Sequence, residues 1–374
     1  MKKILKSEGM QSLIASLICI LIGLLIGFIA LLIINPENAW EGICDVVKNF
    51  MSSNSSKLRM KNLGNTLTNT APLIMCSLSV LFSYKVGLFN IGAAGQYVAG
   101  SLAALYAALA WHWHWLPCLL IALVAGAALG AISGALKALF NVNEVISGIM
   151  LNWIGLYTTN IILTTVKSES APETLKLAAV SKNSILPSLG MEELFGGNKY
   201  VGIAIPLSIL FAVLIWILLN KTKFGFECKA TGLNKDAARY CGMAEKRNIV
   251  LSLAISGMLA GLGGAFLYLT DIQQWQVSAT SVPNMGFNGI AAAFLGGLDP
   301  IGAIFSSFFI QHISDGGGKL NTTYYCSQVS DLIAACIIYL CGFVGFIKMA
   351  MKARSARTEE KKAAKVASKG GSES

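Results

Sequence analysis

The chain has 374 residues, of which 55% are hydrophobic and 13% charged, with a mean hydropathy of +0.63 and a net charge of +10. Soluble domains carry roughly 25% charged residues, so a soluble globular protein is excluded and an all-α membrane protein is expected. Nucleic-acid binding is excluded as well. The basic residues gather at the N-terminus, at 221–247 and in the C-terminal tail, with no basic stripe interleaved with aromatics, which is the distribution of cytoplasmic segments in a multi-spanning chain.

In chain order, MKKILKSEGMQS leads into the first predicted helix, 12–34. A bilayer crossing needs about 20 apolar residues. This run is long enough and no small-x-small cleavage site follows it, so an uncleaved first helix is expected. Further spans are expected at 66–84, 92–110, 116–140, 144–164, 200–219, 249–270 and 328–348, with two shorter segments between 283 and 315 around GGLDP. Counting both gives about ten transmembrane helices, with short broken helices near 283–315, in a polytopic domain 1–348. The basic tail 349–374 is small-residue rich and is expected to be disordered.

Charge sets the expected orientation. Lys2, Lys3 and Lys6 place the N-terminus inside, and six crossings later the loop 220–248, with Lys221, Lys223, Lys229, Lys235, Arg239, Lys246 and Arg247, is inside again. Lys352, Arg354 and Arg357 return inside only if both short segments cross, so ten crossings fit better than nine and both termini are expected on the cytoplasmic side.

Gly126, Gly130 and Gly134 repeat G-x-x-x-G in one span, and Ser256, Gly257, Ala260, Gly261 and Gly264 form a small-residue stripe in another. Tight packing within one subunit is the preferred reading, with a dimer seam as the alternative. The nine cysteines show no C-x-x-C pair and read as small core residues. Cys44 and Cys326 both fall in expected outer loops, where a disulfide is open but free thiols are preferred. The histidines, including those of HWHW at 112–115, sit at expected membrane boundaries and suggest an interfacial anchor and no metal site.

Residues 229–265, KATGLNKDAARYCGMAEKRNIVLSLAISGMLAGLGGA, are the most informative stretch. A short charged helix ended by glycine suits docking into a cleft on a soluble partner. Its D-A-A-x-x-x-G, with Asp236 where Glu is usual, resembles the coupling loop of ATP-binding-cassette importer permeases. G-x-N-x-x-A-A-R-Y-x-G followed by S-G-x-x-A-G-L-x-G-A is similar to the branch that moves branched-chain amino acids, simple sugars and nucleosides. FNIGAAGQ (89–96), NEVISGIMLNWIGLY (143–157) and GFNGIAAAFLGGLDPIGAI (286–304) resemble the nucleoside permeases within it, the likeness covering roughly residues 60–345. Ala94 stands where relatives commonly carry an acidic residue.

The resemblance implies a permease subunit in a prokaryotic plasma membrane. It would work with a cytoplasmic ATPase, a second and homologous permease subunit, and an extracytoplasmic substrate-binding lipoprotein. Gly232, Asn234, Asp236, Ala237, Ala238, Arg239, Tyr240 and Gly242 would form the ATPase-coupling segment. The chain lacks G-x-x-x-x-G-K-[ST], so it is expected neither to bind ATP nor to act as an enzyme, and no cofactor is implied. Ion-coupled secondary transport, the reading from another class, calls for charges deep in spans. Glu144, Asp331 and Lys137 instead sit near span ends. A neutral polar solute suits amides and aromatics, which makes Asn90, Gln96, Asn143, Asn152, Trp153, Asn160 and Asn288 the candidate substrate-path residues, with interhelical hydrogen bonding as their competing role. In GLFNIGAAGQ, residues 87–96, the glycines would let a helix start below the surface, with free N–H groups and the amides of Asn90 and Gln96 facing a cavity.

Overall fold

The computed structural model describes residues 8–53 and 55–320, together with scattered positions between 324 and 353. The N-terminal lysines, Cys326, Asp331, much of the expected span 328–348 and nearly all of the tail lie outside the described residues. Helices dominate, and the strand content of the described residues is two isolated bridges, Lys167 with Thr174 and Glu173 with Gln276.

The principal helices are α1 (Glu8–Ile34), α2 (Ala39–Lys48), α3 (Ser56–Lys85), α4 (Ala93–Leu109), α5 (Trp115–Phe140) and α6 (Glu144–Leu163). They continue as α7 (Ala204–Lys221), α8 (Lys223–Leu233), α9 (Lys235–Tyr240), α10 (Glu245–Tyr268), α11 (Asn284–Leu295) and α12 (Pro300–Gly317). Among the described residues six helices, α1, α3, α5, α6, α7 and α10, are long and apolar enough to cross a bilayer.

One end of the bundle carries the α3–α4 turn, the α5–α6 turn and the basic segment with α8 and α9. At that end Lys137 and Glu144 form an ion pair of 2.8 Å across the α5–α6 turn. The opposite end carries α2 and the long connections. There Asn49 donates to the His312 carbonyl at 2.9 Å and Asn198 donates to Asn65 at 2.8 Å. The two short helices run in opposite senses. Phe294, in the last turn of α11, packs edge-on against Tyr84 at the basic end, whereas His312 in α12 reaches Val47 at the other.

Helix α3 lies at the centre, with 89% of its span buried against 22% for α1. Its weak hydropathy, 1.3, reflects Thr66, Thr68, Thr70, Ser77, Ser79 and Ser83, all buried. Several of these hydroxyls bond to their own helix: Thr68 donates to the Gly64 carbonyl at 2.9 Å and Thr70 to that of Thr66 at 2.6 Å. Small side chains satisfied within their own helix let neighbours pack close, and of the six hydroxyls that of Ser77 is left without a partner among the described residues. The helix begins ten residues before the expected 66–84, because hydropathy marks the apolar part alone and the polar start KLRMKNLGNT continues the same helix.

The two glycine stripes meet each other. A Cβ on Gly126 would lie 2.2 Å from the Gly257 carbonyl oxygen, and one on Gly130 would lie 2.1 Å from that of Leu253. The seam is therefore intrasubunit, between α5 and α10. Exposed Leu21, Leu25, Leu120, Val124, Ile161 and Leu210 clothe the outer helices in an apolar surface fit for lipid.

Replacing Gly257 by Leu drives a side chain into the α5 backbone and is expected to cost about 3 kcal/mol or more, as overpacking does. Gly318→Ala, where a Cβ meets only the Asp315 carbonyl at 3.5 Å, is expected to be neutral. Thermal midpoints of the two variants in detergent check this.

Candidate functional site: the coupling segment and the interrupted helix

The segment after α7 turns twice. Thr222 caps α8 by accepting from the Gly225 N–H at 3.1 Å, and Asn234 caps α9 by accepting from Ala237 N–H at 3.0 Å. Helix α9 ends in a left-handed Gly242, φ +78°. There Gly242 N–H donates to the Arg239 carbonyl and Met243 N–H to that of Ala238, each at 3.0 Å. This pairing of the last carbonyls is what a left-handed glycine after a helix permits. Of the predicted coupling residues, Ala238 is buried and anchors the helix, while Asn234, Asp236, Ala237, Arg239, Tyr240 and Gly242 are exposed. Tyr240 is 93% and Leu233 89% exposed, a large apolar presentation on a charged segment. Cys241 beside them is exposed, whereas Cys228 in α8 is buried next to Ser252, and burial pushes its thiol above the ordinary range.

Gly232 is different. It lies at the end of α8 directly against the α3–α4 turn, where a Cβ would stand 2.5 Å from the Lys85 carbonyl oxygen. A cleft of about 650 Å³ opens beside this contact, lined by Val86, Leu88, Lys137, Asn141, Glu144 and Asn234 among others.

The turn itself leads into α4. Leu88 N–H bonds back to the Ser83 carbonyl and the Asn90 amide lies 3.4 Å from the Ser79 hydroxyl, so α4 starts inside the bundle. Six residues of helix separate Ser79 from Lys85, placing that start about 9 Å from the basic end. The expected start below the surface is therefore found, but the expected open cavity at these amides is not. Asn90 donates to Gln96 at 2.8 Å and Gln96 back to Asn90 at 3.3 Å, both residues being buried. Nor is the helix start left with all its N–H groups free. Gly92, the N-cap, has no side chain to offer, and Asn152 of α6 supplies the cap from across the interface: its carbonyl oxygen accepts from Gly95 N–H at 2.7 Å and its amide donates to the Ile91 carbonyl at 3.1 Å. A buried amide satisfied on both sides is the arrangement that low dielectric demands.

The remaining candidates separate by environment. Asn143 is exposed and caps α6 through Val145 N–H at 2.9 Å. Asn160 accepts from the Trp275 indole at 2.9 Å and donates to the Ala279 carbonyl at 2.8 Å, pinning the connection after α10. Trp153 is 41% exposed and stacks on Tyr157, while Asn288 is half-buried on α11 with no hydrogen bond to a described residue. Helices α4 and α11 run in opposite directions and touch at their first turns, where a Cβ on Gly286 would lie 2.4 Å from Ala94 Cα. Position 94 is a buried methyl against the α11 backbone.

Sequence reading passed over one group near a helix end: Asp315 in the last turn of α12, which accepts from Gln311 at 2.7 Å close to Lys319. Lys319 donates to the Asn49 carbonyl at 2.8 Å, and burial lowers its ammonium pKa. A lone carboxylate ending a short segment was the available signal.

Asn152→Ala strands a buried N–H and a buried carbonyl and is expected to lower stability by about 1–3 kcal/mol. Asn143→Ala removes a solvent-facing cap and is expected to cost about 1 kcal/mol or less. Thermal unfolding of both variants in detergent tests the ranking.

Residues 62–341 match the family described as "Branched-chain amino acid transport system / permease component". The chain is 32% identical to the nucleoside ABC transporter permease protein NupB of Lactococcus lactis, over 94% of this chain and 96% of the relative. It is also 32% identical to the guanosine ABC transporter permease protein NupP of Bacillus subtilis, over 88% and 93%. The glucose ABC transporter permease protein TsgB13 of Haloferax volcanii is 27% identical over 74% of each chain. No solved structure matches the chain. A bundle of apolar helices with a capped, exposed segment at its basic end, matched in sequence over most of its length, makes this chain a member of the branched-chain amino acid transport system permease component family.

Proposed function

We propose that the chain is the membrane-spanning subunit of an ATP-driven importer that carries nucleosides inward. The observation that carries this is the similarity over most of the chain to relatives named as nucleoside and guanosine permeases, joined to a short, capped and exposed α9 at the basic end. On this reading the basic end is cytoplasmic, together with both termini, and the protein resides in the plasma membrane of a prokaryote. A separate ATPase docks on 229–247, chiefly through Arg239, Tyr240 and the exposed Leu233. A second, homologous permease subunit completes the path, and a binding lipoprotein delivers solute at the opposite end. Residues 1–348 are the permease domain and 349–374 a cytoplasmic tail.

Driving force comes from the partner: closing around ATP, it displaces the coupling segment and shifts the population between inward- and outward-open states. Trp153 and Asn288 are the path candidates whose groups remain available, an aromatic face for a base and an amide for hydroxyls. Asn90, Gln96, Asn143, Asn152 and Asn160 act on the path by fixing the helices around it. The similarity to a glucose permease supports a simple sugar as the second reading.

Uptake of labelled guanosine by membranes holding the full complex is expected to require ATP and to be competed by nucleosides but not by glucose. Uptake sustained by an ion gradient alone would overturn the proposal. In the same complex Arg239→Glu with Tyr240→Ala is expected to reduce ATPase co-purification at least about tenfold, as loss of a central aromatic and a charge reversal do at interfaces. A thiol reagent is expected to label Cys241 in the isolated chain and to be blocked by the bound ATPase.

A further inference from the structure

Besides the tight turn of Gly225 on Leu218 and Leu219 of α7, where the segment begins, the contacts of α8 with the membrane bundle differ in kind. In α8, Thr231 accepts from Asn248 of α10 at 3.3 Å and Cys228 lies 3.5 Å from Ser252, both contacts through rotatable side chains. At Gly232 the contact is backbone on backbone. A Cβ there would lie 2.5 Å from the Lys85 carbonyl oxygen, 2.8 Å from Val86 C and 2.9 Å from Gly87 N. Gly87 answers with a left-handed backbone, φ +76°, and its own Cβ position lies 3.1 Å from the Gly232 oxygen. Rotamer changes can absorb a displacement at the first two contacts. No rotamer exists at the third, and close-packed matter passes a shift on.

What the shift reaches is equally stiff. Gly87 lies five residues before Gly92, whose amide nitrogen is 2.8 Å from the Cβ position of Gly148 in α6. From Gly92 onward α4 is held by the Asn152 cap and the Asn90–Gln96 pair, and its first turn touches α11 at Gly286. We propose that the Gly232–Gly87 contact is where movement of the coupling segment is handed to the interrupted start of α4. These two glycines would then be positioning residues of the transport cycle, acting through α4 and α11 without touching solute. The inference rests on the ATP-driven reading above.

The experiment uses the complete complex of permease subunits, ATPase and binding protein in lipid vesicles, with labelled guanosine outside and ATP within reach of the ATPase. Gly232→Ala forces the two backbones apart. Gly87→Asn keeps a residue that tolerates the left-handed region while adding bulk at the same contact, so it serves if the first variant does not fold. Gly87→Asn, which lies outside the docking segment, is expected to co-purify with the ATPase and to leave its basal hydrolysis unchanged, and each variant is expected to lose about tenfold in uptake and in the stimulation of ATPase by loaded binding protein. Uptake and stimulation near the unmodified level in either folded variant would overturn the proposal. So would loss of co-purification by Gly87→Asn, which would assign the contact to docking. If the unmodified complex itself shows no ATP-dependent uptake, the importer reading fails, an outcome distinct from failure of the contact.

Discussion

Hydrocarbon offers a peptide group no partner, so a chain that interrupts a helix inside a membrane has to settle its freed N–H and C=O groups within protein. The start of α4 is where this constraint acts hardest. Gly92 gives no cap of its own, and the cap comes from Asn152 on another helix, with the Asn90–Gln96 pair closing the polar ledger beside it. Helices α4 and α6 are thereby fixed in mutual register. Gly148 and Gly155 are the residues that let α6 come near enough for Asn152 to reach, facing Gly92 and Gly95 respectively.

The same demand for closeness recurs at larger scale. Glycine-to-backbone approaches join α5 to α10, α4 to α10 at Gly100 and Gly261, α11 to α3 at Gly289, and α8 to the α3–α4 turn. In lipid the apolar effect does not distinguish a neighbouring helix from a hydrocarbon tail, so association rests on packing and on hydrogen bonds made at short range. A contact without side chains is favourable for packing and for the transfer of motion alike.

Much of the fold was legible in the sequence because span length and hydropathy are dictated by the bilayer. The expected 92–110, 116–140 and 144–164 match α4, α5 and α6 to within one or two residues. Helix α2 was not read, since ten amphipathic residues outside the bilayer leave no span signature. The end of α9 was legible through Gly242, whose chemistry fixes a stop locally, whereas the cap at Asn234 that divides α8 from α9 was not read. The roles of the buried asparagines were not. An amide that caps a distant helix and one that greets a solute are the same residue type in the same greasy context, and only the partner reveals which is which. Asn152 and Asn160, equally placed by helical spacing, meet a helix start and an indole respectively.

The hydroxyl-rich α3 carries a consequence for how the chain is made. It is the most buried of the six long spans and, with α6, among the least hydrophobic. Several of its hydroxyls bond to its own carbonyls, and its Pro72–Cys76 stretch packs against neighbours synthesised much later, Gly263 of α10 and Gly289 of α11 among them. Such a helix gains little from partitioning alone into lipid. Its polar stretch is enclosed only once α10 and α11 pack around it, so that the burial of this early span depends on segments from the far half of the chain.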